Sequence, residues 1–184
     1  MKSYVETVDP SDYAAIDKLI KESYASGDVN TDGDEADMVK RLREYSGYRD
    51  EYELVVKDSK GDLVGHALMI PVTVKGPKVK YSILSIVELS VEKNSRGKGY
   101  AQMLVSELQA RASLAGYPAI DVLDGSDFFA DRGYVSSQNF DIYSTLPVKM
   151  ENNLIKPLQN GSLFGKGGKI YYPEEFFGTQ RSVI

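Results

Sequence analysis

The spacing of apolar positions changes several times along the chain, and each change predicts an element. Tyr4 to Val8 alternates as a short strand. Asp9-Pro10-Ser11-Asp12 then predicts a helix start, with Asp9 as N-cap and proline at the first helical position. Tyr13, Ile16, Leu19, Ile20 and Tyr24 fall on one face of that helix, and Gly27 ends it. A second helix is predicted from Glu35 to Tyr45, capped by Asp34, with Met38, Val39 and Leu42 inward. Glu53 to Lys57 and Leu63 to Val74 read as strands, and Pro71 implies a bulge or an unpaired position in the second. Tyr81 to Val91 begins apolar on both faces, as expected of a strand covered on both sides. From Ala101 the period becomes helical: Ala101, Leu104, Val105, Leu108, Ala112 and Ala115 form one stripe. Gly116-Tyr117-Pro118 stops it, and Ala119 to Leu123 is the next strand, so a strand–helix–strand unit with a right-handed crossover is expected. A short helix to Asp131, capped by Ser126 or Asp127, precedes strands at Phe140–Leu146, Val148–Ile155 and Lys169–Tyr172. There is no internal repeat and no boundary signal, so residues 1–184 read as a single domain.

Composition narrows the chemistry. With no cysteine, disulfides, thiolate zinc sites and a cysteine nucleophile are excluded. No apolar run reaches a membrane span and the first residues lack a signal-peptide core, so a cytoplasmic protein is expected. The net charge of −5 argues against nucleic acid as a partner and is compatible with a cationic amine. The single histidine, His66, lies among apolar strand residues and reads as a hydrogen-bonded structural group. Asp28-Val29-Asn30-Thr31-Asp32-Gly33-Asp34 imitates half of a calcium loop, but Val39 stands where a bidentate glutamate belongs, so a polar turn is expected. Asp121, Asp124, Asp127 and Asp131 read as caps and solvated faces; no metal site is expected.

Two features of the segment from Val87 to Ala101 carry candidate chemistry. Glu88 sits in an apolar strand, where a carboxylate is costly unless paired, hydrated or used. It reads either as a general base or as a carboxylate satisfied by Ser90 or nearby backbone. Arg96-Gly97-Lys98-Gly99 joins this strand to the next helix. The glycines permit a tight turn and close approach of a ligand, and the first helical N–H groups form an anion site. A phosphate or pyrophosphate is expected there. The dinucleotide fingerprint fails because Gln102 replaces its third glycine, and the P-loop pattern is absent. A second glycine-rich stretch, Asn160 to Gly168, fails as a P-loop and reads as a turn or lid.

The Arg-Gly-x-Gly-x-Ala loop directly after a strand resembles the acetyl-CoA pyrophosphate loop of the GNAT N-acetyltransferase superfamily. Asp62-Leu63-Val64-Gly65-His66 resembles the start of that family's hairpin strand. The run from Val122 to Tyr134, ending Phe-Phe-Ala-Asp-Arg-Gly-Tyr, resembles the segment after its fifth strand. Gly168 to Phe176 is similar to the tail of a small bacterial subfamily. The resemblance implies an α/β (α+β) fold: a mixed sheet of about six to seven strands, splayed parallel central strands, and helices on both faces. It implies acetyl-CoA as co-substrate and direct transfer of the acetyl group to a primary amine. The backbones of Leu89, Ser90 and Val91 would hold the pantetheine, and the amides of Arg96, Gly97, Lys98, Gly99, Tyr100 and Ala101 would wrap the pyrophosphate, with Phe129 also toward the cofactor. Glu88 would be the base and the Leu89 N–H the oxyanion donor. The first two helices would line the acceptor side, where Tyr45 and Tyr48 lie. One departure matters: the tyrosine that protonates the CoA thiolate in the family is Phe128 or Phe129 here. Tyr134 matches an aromatic that packs. A non-catalytic acyl-CoA-binding or sensor module of the same fold is therefore the alternative, and another phosphate ligand is a third reading. The tail from Tyr172 to Phe177 offers a face to a second copy, as in a homodimer.

Overall fold

A computed structural model describes residues 2–25 and 31–178. The chain divides into two compact units, residues 1–69, 88–108 and 173–184 in one, and residues 70–87 and 109–172 in the other.

In the first unit the strands run in the order β1 (Tyr4–Thr7), β2 (Glu53–Lys57), β3 (Leu63–Lys75) and β4 (Lys80–Val91), with β3 and β4 continuing into the second unit. β1 and β2 pair antiparallel from Tyr4↔Lys57 to Thr7↔Leu54. β2 and β3 pair antiparallel with Val55 opposite His66 and Glu53 opposite Leu68. Glu53 therefore lies two positions along the same face from the partner of His66. Asp9 and Asp12 form a capping box at a short 3-10 turn, Pro10–Asp12, which runs into α1 (Tyr13–Ala25). The predicted cap is thus present, one turn ahead of the α-helix proper. Ile16, Leu19 and Ile20 are buried on α1, and Ala36, Met38, Val39 and Leu42 on α2 (Glu35–Arg43). Asp34 does not cap α2 through its side chain; its own backbone is already helical, and its carboxylate takes the Arg41 guanidinium instead, 2.9 Å from Nη1. Thr31 and Asp32 accept from the Gly33 and Asp34 amides in a local turn, while Gly27, expected to end the first helix, and Asp28, Val29 and Asn30 of the calcium-like stretch lie outside the described residues.

α3 (Tyr100–Leu114) buries Leu104, Val105, Leu108 and Ala112, the predicted stripe, and ends before Ala115. Gly65 explains how closely the first unit packs. A Cβ there would come within 2.6 Å of Val56 Cγ1, 3.2 Å of Leu104 Cδ1 and 3.3 Å of the Ser90 carbonyl oxygen. No side chain fits between those groups.

In the second unit, β4 pairs parallel with β5 (Ala119–Leu123) through Leu84↔Ile120, Ser85↔Asp121 and Ile86↔Val122. β5 pairs antiparallel with β8 (Asn153–Pro157), which pairs with the two-residue β6 (Val135–Ser136). β9 (Gly168–Tyr171) pairs antiparallel with the end of β3 and parallel with β7 (Ile142–Ser144). The β2 register on β3 ends at Leu68 and the β9 register begins at Thr73, so Pro71 falls where neither partner needs its missing N–H. The mixed sheet is the expected one, but the described residues form nine strands where about six to seven are expected, because short strands are added late in the chain. The alternation from Phe140 to Leu146 yields only Ile142–Ser144, since Asp141 takes a left-handed conformation (φ 55°) after a 3-10 turn. The strand expected at Val148–Ile155 is displaced to Asn153–Pro157 by another such turn, Met150–Asn152.

Candidate acyl-transfer site

The loop at the head of α3 is built by its backbone. A 3-10 turn, Lys93–Ser95, leaves β4, and Arg96 Nε donates to the Val91 carbonyl at 3.2 Å. Gly97 and Gly99 have φ of 76° and 86°, left-handed values that only glycine adopts freely. The Met103 N–H donates to the Gly99 carbonyl at 3.0 Å, the opening bond of α3. The amides of Gly99, Tyr100 and Ala101 precede that bond and have no acceptor within the helix. Arg96, Gly97, Lys98 and Gly99 are exposed, and space beside both glycines is open. This arrangement can hold an anion through backbone N–H groups, the helix dipole and two cations.

β4 alternates just before the loop. Glu88 and Ser90 are buried on one face, and Leu89 and Val91 are half-buried on the other. Both Glu88 oxygens are engaged: Oε1 accepts from Ser90 Oγ, the partner expected from the sequence, and Oε2 accepts from His66 Nδ1. His66 Nε2 donates in turn to Glu53 Oε1 at 2.9 Å. Glu53 also receives the Arg43 guanidinium, with Nη2 2.5 Å from Oε1 and Nε 3.1 Å from Oε2, and the Tyr48 hydroxyl at 2.6 Å. The side chains of His66 and Glu53 are wholly buried, and Glu88 is 2% exposed. Ionised carboxylates only accept, so a ring with a carboxylate at each nitrogen must carry both protons. Two cations, Arg43 and His66, thus balance two anions, Glu53 and Glu88.

Spacing alone does not connect His66, expected as structural, with Glu88, expected as base or paired carboxylate, nor either of them with Arg43 and Glu53. Tyr48, read as acceptor-facing, spends its hydroxyl on Glu53. The signal that was available is Glu53 itself, a carboxylate opening the apolar run Leu54-Val55-Val56.

Phe129 is buried, edge-on to Phe128 at 5.0 Å and to Tyr134 at 5.1 Å between ring centroids. The Arg132 guanidinium lies 3.7 Å from the Phe128 ring centre. Neither phenylalanine can donate a proton. The buried Tyr134 hydroxyl accepts from Gln109 Nε2 at 3.1 Å, and burial pushes it up to about 12, so it stays protonated. Asp121 corrects the expectation of a solvated acidic run. It is wholly buried and accepts from Ser85 Oγ at 2.9 Å, Tyr172 OH at 2.8 Å and Asn153 Nδ2. Tyr172 is therefore not an exposed tail residue, and the next segment is seated too, with Arg41 Nε donating to the Glu175 carbonyl at 3.0 Å. Asp124 accepts from the Ser126 amide in a turn, while Ser126, the N-cap of the short helix Asp127–Ala130, makes no side-chain cap bond, so the expected cap is absent. A groove of about 600 Å³ in the second unit is lined by Lys75, Lys78, Asp141, Tyr143 and Lys169 among others, and none of the expected site residues lines it.

The buried charges give stability a defined pH dependence. Burial alone would lower His66, but the Glu88 charge and the bonds to both glutamates outweigh it and raise it from 6.5 to about 9. The resulting stability is fully present below pH 6.5 and lost as pH rises through 9. Burial would raise Glu53, but His66, Arg43 and Tyr48 hold it at about 2, so its contribution is present above pH 4.5 and lost as pH falls through 2. Asp121 acts oppositely: burial, only partly offset by its donors, raises it to about 6, which removes stability as pH rises from 3.8 to 6. Maximum stability should therefore lie on the acid side of neutral. The His66 displacement corresponds to about 3 kcal/mol, so the thermal midpoint should fall by roughly 6–12 °C between pH 6.5 and 9. A midpoint series at constant ionic strength checks this, and a flat series would contradict the doubly protonated ring.

The mixed sheet and the glycine turn between β4 and α3 are those expected of an acetyltransferase. Residues 14–134 match the acetyltransferase (GNAT) family, and the chain belongs to it. It is similar to the protein described as uncharacterized N-acetyltransferase YhbS of Escherichia coli K12, at 28% identity over 167 residues, which is 91% of this chain and 94% of that protein. The crystal structure of the GNAT family N-acetyltransferase YhbS from Escherichia coli in complex with CoA matches with a TM-score of 0.80 at 25% identity, covering 96% of this chain and 92% of that one. A GNAT family acetyltransferase from Brucella melitensis, in complex with acetyl-CoA, has the same fold, with a TM-score of 0.74 at 18% identity over 95% of this chain and 98% of that one. Among the described residues no helix is long and apolar enough to cross a membrane.

Proposed function

We propose that this protein is an acetyl-CoA-dependent N-acetyltransferase that moves the acetyl group directly to a primary amine. The loop from Arg96 to Ala101 carries the reading, because its left-handed glycines, open space and helix N-terminus suit a pyrophosphate. The CoA and acetyl-CoA named with two similar structures support it. In this reading the backbones of Leu89, Ser90 and Val91 hold the pantetheine and the amides of residues 96–101 hold the pyrophosphate. The amine nitrogen attacks the thioester carbonyl, and the Leu89 N–H stabilises the tetrahedral oxyanion. The carbon–sulfur bond then breaks and CoA leaves as thiolate. Glu88 is the base. Since it is buried against Ser90, the amine proton passes to Ser90 Oγ as the Ser90 proton moves to Glu88 Oε1. Water protonates the thiolate, because Phe128 and Phe129 have no proton to give. The acceptor is a small molecule or peptide amine in the cytoplasm.

A second reading, an acyl-CoA-binding module without turnover, is favoured by one observation: both Glu88 oxygens already have partners. Thermal unfolding with acetyl-CoA, CoA and ATP tests the shared part. Ligand at a hundred times its dissociation constant adds about 2.7 kcal/mol, or roughly 5–11 °C here. Shifts with acetyl-CoA and CoA but not ATP are expected; no shift with either thioester or thiol would sink both readings. Glu88→Gln separates them. It should keep the acetyl-CoA shift and lose at least about 100-fold in thiol release, whereas unchanged turnover would remove Glu88 as base.

A further inference from the structure

The chemistry above uses Glu88 and Ser90 and gives no task to the charged groups behind them. Burying two cations and two anions costs more desolvation than apolar side chains of the same volume would. Packing alone therefore does not account for the arrangement. The groups linked to Glu88, directly or through His66, come from several elements of its unit. β3 brings His66 and β2 brings Glu53. α2 brings Arg43, whose guanidinium lies 3.7 Å from the Tyr13 ring centre of α1, and the segment after α2 brings Tyr48. The β2–β3 register, with Val55 opposite His66, sets Glu53 diagonally over the ring. Arg43 and Tyr48 then hold the Glu53 carboxylate, and Glu53 holds the ring.

We propose that His66 and Glu53 are positioning residues for Glu88, with the imidazolium clamped between the two carboxylates so that Glu88 is fixed in the rotamer that meets Ser90 and its negative charge is balanced. This rests on the transferase reading. The proton count closes through water, which gives the thiolate its proton and takes back the one that Glu88 gained. Glu88 gains the amine proton through Ser90 and becomes neutral, His66 keeps both ring protons throughout, and Glu88 returns its proton by way of Ser90 after the product leaves. No proton crosses the ring.

His66 is the sole histidine of the chain, so its ring can be observed without assignment. Imidazole nitrogen NMR should find it doubly protonated at pH 7.5 in the native protein and singly protonated in Glu53→Gln and Glu88→Gln. A neutral ring in the native protein would overturn the proposal without any variant. Thiol release from acetyl-CoA, with spermidine, tyramine and an alanyl-lysine peptide as amine probes, supplies the second readout. In His66→Gln the acid limb of kcat/KM should move up by at least one pH unit and kcat at pH 7 should fall at least tenfold. KM for acetyl-CoA should stay within twofold. Should His66→Gln fail to fold, Glu53→Gln takes its place, with the acid limb again displaced. A lower melting temperature with an unmoved acid limb would mean a purely structural role and overturn the proposal. Acetyl-CoA binding with no amine acetylated at any pH would instead bring down the transferase reading, and with it the catalytic role of the pair.

Discussion

Glu53→Leu will lose about 3–5 kcal/mol of stability, because it leaves the buried Arg43 cation without its anion and His66 with one carboxylate in place of two. Arg43 has only 11% of its side chain exposed, and His66 has none. Neither can turn to water, and the Arg43 fork loses all three of its carboxylate bonds together. Tyr48 loses its acceptor as well. For a chain of this length the loss is roughly 6–20 °C in thermal midpoint. The effect belongs to breaking the network, so it should not scale with removing it. Replacing Arg43, Glu53, His66 and Glu88 together by leucine should recover much of the loss, since a buried ion cluster is close to neutral against well-packed apolar groups. Denaturant midpoints of the single and fourfold variants check both halves. A single variant within about 1 kcal/mol of the parent would show that water reaches these charges.

The features legible in the sequence were those written locally. The strand–helix switch around Val91 and Ala101 shows in the change of apolar period, and the glycines at 97 and 99 mark the left-handed turn between them. The stripe on α3 followed from spacing alone. What was hidden depends on register. Glu53, His66 and Glu88 lie on three strands, 13 residues apart for the first pair and 22 for the second. A sequence displays each as an isolated polar residue, and only strand pairing makes them one cluster. Asp121 was misread for the same reason. Beside Asp124, Asp127 and Asp131 it looked like part of a solvated run, but the parallel ladder sets it opposite Ser85 in the core. Late strand boundaries failed at single backbone conformations, above all the left-handed Asp141.

Gly99→Val should abolish the stabilising shift given by acetyl-CoA while leaving the protein folded. The φ of 86° is one a β-branched residue avoids, at a cost of about 1–2 kcal/mol. No neighbouring atom stands within 4 Å of the added Cβ, so the penalty is backbone strain and not a clash. The loop relieves that strain by turning Gly99 toward negative φ, which re-aims the amides at the head of α3. A pyrophosphate held by two or three such N–H groups, each charge-assisted bond contributing about 1.5–3 kcal/mol, would then bind on the order of 100-fold more weakly, or about 2.8 kcal/mol. Lys98→Ala removes one charge and no backbone donor, so a smaller loss of about three- to tenfold is expected from the same series. Gly33 provides the matched control: its φ is 81° and its surroundings are equally open. Gly33→Val carries the same intrinsic strain before α2 and should leave the acetyl-CoA shift intact. If both valine variants keep the shift, strain at residue 99 does not reach the ligand, and the pyrophosphate must be held elsewhere. If both lose it, the effect is general destabilisation and says nothing specific of the loop. Loss in Gly99→Val alone ties the binding of acetyl-CoA to this turn.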